Sequence, residues 1–184
     1  MNEEDRINYI VQNQKSPRTF NDYMNYFAFF APISFIVIFI FLGNTVINNL
    51  SNTPTSVIVL LFFMITMGVS MFVLLIFRLK ENRQYLSFKL NGTFDEKKKL
   101  ILEAANDVLK INNISVNENL KVIEINTKWS AFSWGEIVSI VCSKDDILIN
   151  SRPSSSQFLT LYKDKRNVKR VTKRISELQQ LTQV

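Results

Sequence analysis

The sequence predicts an α+β protein in which an N-terminal transmembrane helical hairpin precedes a cytoplasmic domain. We expect this domain to contain an antiparallel sheet of four to five strands and two helices. Three observations support this prediction: two long apolar runs, strand-like and helix-like periodicity in the second half, and basic residues on both sides of the apolar region. The expected divisions are a cytoplasmic N-terminal segment (1–25), the hairpin (26–79) and the α+β domain (82–184).

The apolar region carries one charged residue, Arg78, between positions 26 and 79. A helix that crosses ~30 Å of hydrocarbon needs about 20 apolar residues. We predict two such helices, at about 27–47 and 57–78, separated by a polar connection that contains Pro54. Two buried helices of a soluble core are the alternative, but helices of this length rarely lack a polar stripe.

The distribution of basic residues predicts the orientation of the hairpin. Arg6, Lys15 and Arg18 precede the first apolar run, Arg78 and Lys80 follow the second, and the connection between the runs has none. By the positive-inside rule, both termini are therefore expected in the cytoplasm.

The predicted domain begins with a strand and a helix. Leu86, Phe88 and Leu90 alternate with polar residues, which is typical of a half-buried strand. Thr93 and Glu96 have the spacing of a capping box, which predicts the start of a helix. The face of this helix that should contact the core carries Ile101, Ala104, Ala105 and Val108.

Three strand-like runs follow, NLKVIEINTK, SWGEIVSIVCS and DILINSR, and the short connection KDD predicts a hairpin between the last two. QFLTLY is a candidate for a further strand. A closing amphipathic helix is predicted from about Asn167. Its apolar stripe comprises Val168, Val171, Ile175, Leu178 and Leu181. The expected order is β-α-β-β-β-(β)-α, with the helices on one face of the sheet.

The sequence shows no motif for catalysis or metal binding. It contains no His, which excludes Cys/His zinc sites and His-based catalytic triads. Asp145 and Asp146 fit a hairpin turn better than a pair of catalytic acids. The single Cys142 can form no intrachain disulfide and is expected to be a small core residue. We therefore expect a protein that is not an enzyme and has no catalytic residue, metal or cofactor.

The basic residues around the closing helix are the main candidates for ligand binding. A solvated surface is the simplest interpretation, but a domain tethered to the inner leaflet also faces anionic lipid, at ~1 kcal/mol per basic residue near the surface. A small anionic ligand is a further alternative. Extended nucleic acid is not expected, because no recognition motif accompanies the charge. The candidate anion- or lipid-facing residues are Arg152, Lys165, Arg166, Lys169, Arg170, Lys173 and Arg174.

Two loops are further candidates. The segment WSAFSWGE contains Trp129 and Trp134, which we expect either to pack over a turn at Gly135 or to form an aromatic contact with a ligand, partner or bilayer surface. The segment SRPSSSQ, Ser151 to Gln157, is predicted to be a hydroxyl-rich surface loop that could bind an anion through Arg152.

The C-terminal segment resembles small uncharacterised bacterial domains whose last strand and helix read roughly Arg-Ser-x-Ser … Asp-x-Gly-x-Asn-x-x-Arg-Ile. Asn167, Arg170 and Val171 match this pattern, Ser151 and Arg152 lie at the preceding strand end, and Lys165 replaces the Gly. The SWGE segment is similar to small two-span membrane proteins of Bacteroidetes type. These resemblances support the same architecture, and no catalytic residue is transferred from them.

Three functional hypotheses remain open. The first is a non-enzymatic, multi-pass protein of the bacterial inner membrane whose cytoplasmic domain binds a partner protein or the membrane surface. The second is a signal-gated membrane effector whose basic domain senses a nucleotide-like anion and whose hairpins oligomerise to perturb the bilayer. The third is a small subunit of a membrane complex in which the hairpin is the interface.

Overall fold

The computed structural model describes residues 1–17, 54–129, 135–154 and 163–182, together with isolated positions between 37 and 48. The chain divides into two compact units. One unit combines residues 1–17 with residues 81–184, and we call it the folded domain; the other comprises residues 18–80. The N-terminal segment therefore contributes to the same unit as the C-terminal half of the chain.

The folded domain is α+β, with an open antiparallel sheet of five strands in the order β1-β5-β4-β3-β2. Strands β2 to β5 form a meander, and β1 pairs with β5, so α3 carries the chain from one sheet edge to the other. The helices are α1 (Glu3–Asn13), α2 (Thr55–Glu81), α3 (Phe94–Val108) and α4 (Lys163–Thr182). The strands are β1 (Leu86–Lys89), β2 (Ile111–Asn117), β3 (Val122–Thr127), β4 (Glu136–Cys142) and β5 (Asp146–Pro153).

Helices α3 and α4 pack on one face of the sheet and bury the main core. The predicted capping box of α3 is confirmed, because Thr93 and Glu96 each accept a hydrogen bond from the other's backbone N–H. Val171 and Ile175 of α4 are fully buried, as their spacing predicts. The prediction for Leu181 is wrong: its side chain is 70% exposed, because the last turn of α4 extends past the core, whose last α4 residue is Leu178.

Helix α1 covers the opposite face of the sheet, so the expectation that helices cover only one face is wrong. Ile7 and Ile10 pack on Val122, Val141 and Leu148, the residues that alternate away from the main core. The signal for this helix is weak, because only these two α1 residues are buried.

The strand assignment differs from the prediction at one place among the described residues. The segment INNISVN forms β2, an edge strand whose polar residues gave no clear strand signal, whereas QFLTLY lies outside the described residues. Ser151 and Arg152 belong to β5, as the run DILINSR predicts, because their backbones pair with Val138 and Ile137 of β4; the predicted surface loop therefore does not begin at Ser151.

The second apolar run forms the helix α2, and its stretch Thr55–Leu74 is long and apolar enough to cross a membrane by length and composition alone. Its large side chains are exposed, for example Phe62 at 73%. Among the described residues this is the one helix that meets these criteria. The predicted first span, 27–47, lies mostly outside them, and its isolated described positions, including Ile40 and Phe41, are helical.

Candidate functional site

The two chain segments that flank residues 18–80 lie side by side at one end of the sheet. Lys15 pairs antiparallel with Gln84. The backbone N–H of Ser16 donates to the carbonyl of Arg83 at 2.8 Å, and the guanidinium of Arg83 donates twice to the carbonyl of Ser16, at 2.9 and 2.7 Å. We call this the junction end of the sheet; because the strands are antiparallel, β1, β2 and β4 begin there and β3 and β5 end there.

Cations gather at the junction end because the connections at this end and the first turns of α4 are basic. Lys110 precedes β2 and Lys128 follows β3, and the backbone N–H of Lys128 donates to the carbonyl of Lys110 at 2.7 Å. The Nζ atom of Lys165 lies 2.7 Å from Oε1 of Glu81, the last residue of α2. We call the following set the basic end: Lys110, Lys128, Lys165, Arg166, Lys169 and Arg170.

The predicted basic residues of α4 differ in whether they have partners. Arg174 donates to Asp107 of α3 at 2.7 Å and to Glu177 at 3.1 Å, and these hydrogen bonds raise the pKa of its guanidinium. Lys173 is an exposed side chain 3.9 Å from Glu177. In contrast, Arg166, Lys169 and Arg170 are exposed and bind no residue in the described part of the chain. These last three cations are therefore the best placed to bind an external anion.

Arg152, another predicted site residue, lies on the opposite face of the sheet from α4. Neighbouring side chains of β5 point to opposite faces of the sheet, and Ser151 faces α4, so Arg152 faces away from α4. On that side, Arg152 acts electrostatically on Tyr85 together with Arg6 of α1. Burial raises the pKa of Tyr85, and the two guanidinium groups partly oppose this rise. The strand alternation thus separates Arg152 from the cations of α4.

A cavity of about 230 Å³ opens at the basic end between α4 and the ends of α3 and β3. Lys110, Lys128 and Arg170 contribute three cations to its lining, and Trp129 contributes an indole. Trp129 is 78% exposed, so it does not cover the sheet edge as a buried residue would. The predicted partner of Trp129, Trp134, lies outside the described residues. The cavity can accept an anionic group, and the indole can enter a membrane interface.

A buried polar pair fixes the start of α4 on the sheet. Glu136 of β4 is 1% exposed and Asn167 of α4 is 4% exposed, and Nδ2 of Asn167 donates a hydrogen bond to Oε2 of Glu136. The backbone N–H of Glu136 donates to Oγ1 of Thr127 at 2.9 Å. Sequence reasoning did not pair these residues, although Asn167 continues the helical spacing of Val171 and Ile175 and is therefore a polar residue on an apolar stripe.

Cys142 and the acidic residues provide no reactive site among the described residues. Cys142 is buried in the main core, as predicted, and burial raises the pKa of its thiol to about 11. A thiol with this pKa is almost fully protonated at neutral pH and is a poor nucleophile. Within the described ranges, no group of three or more His, Cys, Asp or Glu side chains is arranged to hold a metal ion.

No protein-family model matches this chain, and no curated protein or solved structure is significantly similar to it. The resemblance to small two-span bacterial proteins therefore stays a prediction, and a functional proposal has to rest on the geometry of the basic end.

Proposed function

We propose that this protein is a non-enzymatic, multi-pass protein of the bacterial inner membrane, with both termini in the cytoplasm, whose folded domain binds the anionic inner leaflet through its basic end. One observation carries the proposal. The chain enters and leaves the domain at the junction end of the sheet. The cations without described partners lie at this same end, where Lys165 contacts Glu81 at 2.7 Å.

The pairing of Lys15 with Gln84 supports two membrane crossings. Because these residues pair within one folded domain, the chain must leave that domain and return to it on the same side of a membrane. Residues 18–80 therefore cross an even number of times. The stretch Thr55–Leu74 is suited to one crossing, and an exposed apolar surface of this size would be costly in water. A second crossing is then expected within 18–53.

The charges and the short connection favour contact with the leaflet. Glu81 follows Leu74 by seven residues, which span at most about 25 Å of chain. Each basic residue close to an anionic surface contributes ~1 kcal/mol, so five cations other than Lys165 give an upper value of about 5 kcal/mol. The exposed indole of Trp129 suits the headgroup region, where Trp is enriched.

Cysteine labelling tests the membrane topology. In a Cys142→Ala background, Asn52→Cys lies in the predicted periplasmic connection and Lys144→Cys in the turn between β4 and β5. A membrane-impermeant maleimide should label Asn52→Cys in spheroplasts and Lys144→Cys only after lysis. Labelling of Lys144→Cys in intact spheroplasts, or of Asn52→Cys only after lysis, would contradict the proposed hairpin.

Spin labels on the full-length protein in nanodiscs test the leaflet contact. Asn112→Cys at the start of β2 reports on the basic end, and Lys144→Cys reports on the opposite end of the sheet. With anionic lipid, the label at 112 should approach the headgroups, and this approach should weaken in zwitterionic lipid or in about 0.5 M salt, because salt screens surface charges. The label at 144 should stay in water under all conditions.

Matched charge removals complete this test. Arg166→Gln with Arg170→Gln should move the label at 112 away from anionic lipid, whereas Lys98→Gln with Lys99→Gln, on α3, should not. The leaflet contact is refuted if the position of the 112 label is the same in anionic and zwitterionic discs. It is equally refuted if both double variants change the depth of the 112 label by the same amount. It is also refuted if this label stays in water with lipid alone and loses its water exposure only when a co-purified protein is present.

The signal-gated effector is a second candidate function, favoured by the 230 Å³ cavity that Lys110, Lys128 and Arg170 share. Pyrophosphate is a suitable probe for the cavity because it carries anionic oxygens but no apolar part. The effector hypothesis predicts that millimolar pyrophosphate raises the melting temperature of the full-length protein, and that Arg170→Gln abolishes the effect. If Lys173→Gln abolishes the rise in melting temperature as Arg170→Gln does, the ion binding is unspecific and this candidate is contradicted.

A further inference from the structure

A second cavity, of about 370 Å³, lies between α4 and the β1–β5 edge of the sheet. Its size falls in the range of small-molecule pockets, about 300–1,000 Å³. Leu86, Ile149 and Val168 form an apolar wall. This wall remains accessible because α4 does not cover the first residue of β1: Leu86 is 50% exposed although Ile149, its partner across the strands, is fully buried.

A buried hydroxyl group lies in the same cavity. Ser151 of β5 is 3% exposed and lines the cavity on the α4 side of the sheet. Its Oγ atom forms no hydrogen bond with any residue that the structure describes. In contrast, the hydroxyl of Thr172 on the facing helix donates to the carbonyls of Val168 and Lys169. A buried polar group without a hydrogen-bond partner destabilises the folded state, so Ser151 is an unusual choice for a purely structural position.

The opening of the cavity combines two lysines with one carboxylate. Lys165 and Lys169 lie one turn apart on α4 and both line the cavity, and Glu81 lines the facing side. Glu81 holds Lys165 at 2.7 Å, whereas Lys169 contacts no residue in the described ranges. The cavity thus has an apolar wall, a hydrogen-bonding hydroxyl and a cationic opening that one acid partly neutralises.

We propose that this cavity binds a small amphipathic anion, with an apolar chain against Leu86, Ile149 and Val168 and an anionic group that accepts hydrogen bonds from Lys169 and Lys165. The hydroxyl of Ser151 donates to a polar atom of the same ligand. The bound anion competes with Glu81 for Lys165. The ligand is either a soluble alkyl phosphate or carboxylate or a bilayer lipid with a phosphate monoester headgroup, since both present the same chemistry.

Binding to the full-length protein in zwitterionic nanodiscs tests this proposal, with octyl phosphate as the probe and isothermal titration calorimetry as the measurement. Inorganic phosphate lacks the apolar chain and octanol lacks the charge. Octyl phosphate should bind with a Kd at least tenfold lower than either of them. If inorganic phosphate binds as tightly as octyl phosphate, or if octyl phosphate does not bind saturably, the proposal is wrong. Discs that contain lysophosphatidic acid distinguish the sources: competition with octyl phosphate identifies a bilayer ligand, and undiminished binding identifies a soluble one.

Single substitutions then separate this site from unspecific charge effects. Lys169→Gln should weaken binding about tenfold, as expected for the loss of a charge-assisted hydrogen bond. Lys173→Gln, an equal charge change one turn away, should leave the Kd unchanged. Glu81→Gln should tighten binding several-fold, because it removes the competing carboxylate. Equal weakening by Lys169→Gln and Lys173→Gln, or weaker binding by Glu81→Gln, would overturn the assignment.

Ser151→Ala distinguishes a role of Ser151 in ligand binding from a purely structural role. Removal of a buried hydroxyl without a partner should leave the melting temperature equal or higher, while the affinity for octyl phosphate falls several-fold. An unchanged Kd would overturn the role of Ser151 in binding. Ser151→Ala alters no residue of the basic end, so this site and the leaflet contact can fail independently of each other.

Discussion

The buried contact between Asn167 and Glu136 provides a test of how α4 is fixed on the sheet. We predict that Asn167→Asp, which preserves the shape of the side chain, places a second carboxylate within hydrogen-bonding distance of Glu136. Both residues are almost fully buried, so water screens the repulsion poorly. Two like charges 4 Å apart interact by about 4 kcal/mol at an effective dielectric constant of 20.

The destabilisation of Asn167→Asp should depend on pH in a defined direction. Repulsion raises the pKa of the carboxylate pair in the folded variant, so the folded state binds a proton that the unfolded state releases above about pH 4. At 1.36 kcal/mol per pH unit, the variant's free energy of unfolding should fall below that of the wild type by about 1.4 kcal/mol at pH 5 and by nearly 4 kcal/mol near pH 7.

Thermal unfolding of the full-length protein in mild detergent, followed by circular dichroism between pH 5 and 8, measures this effect. Gln180→Glu, the same amide-to-acid change at an exposed position of α4, should change stability by less than about 0.5 kcal/mol. The reasoning fails if Asn167→Asp is as stable as the wild type at pH 8, or if its loss of stability relative to Gln180→Glu is the same at pH 5 and pH 8.

Three further predictions concern buried residues. Lys97→Met should destabilise the domain by about 2–4 kcal/mol in thermal unfolding, because the carbonyls of Ser143 and Lys144 lose their ammonium donor at 2.7 and 2.9 Å; wild-type stability of this variant would refute that role. Ile10→Ala should cost about 2–5 kcal/mol and speed proteolysis within α1, since its fully buried side chain attaches α1 to the sheet; unchanged cleavage kinetics would contradict this packing. Because the thiol pKa of Cys142 rises from 9.0 to about 11, its thiolate fraction at pH 8 should be about 100-fold below that of an ordinary cysteine, and stability linked to this thiol should decline as the pH rises from 9 to 11. Rapid reaction with a thiol reagent at pH 8 in the folded protein would disprove that protection.

Local signals predicted much of the fold. The capping box of Thr93 and Glu96 and the apolar face of α3 involve residues three to four positions apart, so they are visible in the sequence. The strand signals of β3, β4 and β5 are strong because these three strands lie inside the sheet and most of their residues are buried, in β4 and β5 on both faces. The edge strand β2 and helix α1 gave weaker signals, since few of their residues are buried.

The candidate site was only partly predictable. The sequence identified the basic residues of α4, but it could not distinguish Arg174, which is bound to Asp107 of another helix, from Arg166 and Arg170, which bind no described residue. It also could not separate Arg152 from the cations of α4, because the sequence does not show which face of the sheet α4 covers. Contacts with residues of other helices and strands decide which of these basic side chains is available to a ligand.

The sequence by itself determined the apolar segment, the α+β class, the identity of α3 and α4, and the absence of His from the chain. These follow from composition and from periodicities of two and 3.6 residues, which depend on neighbours along the chain. Only the tertiary structure decided that Lys15 pairs with Gln84, that Asn167 meets Glu136, and that Ser151 lies beside a cavity. The two pairings join residues that are 69 and 31 positions apart, and such contacts form only when the packed sheet brings distant segments together.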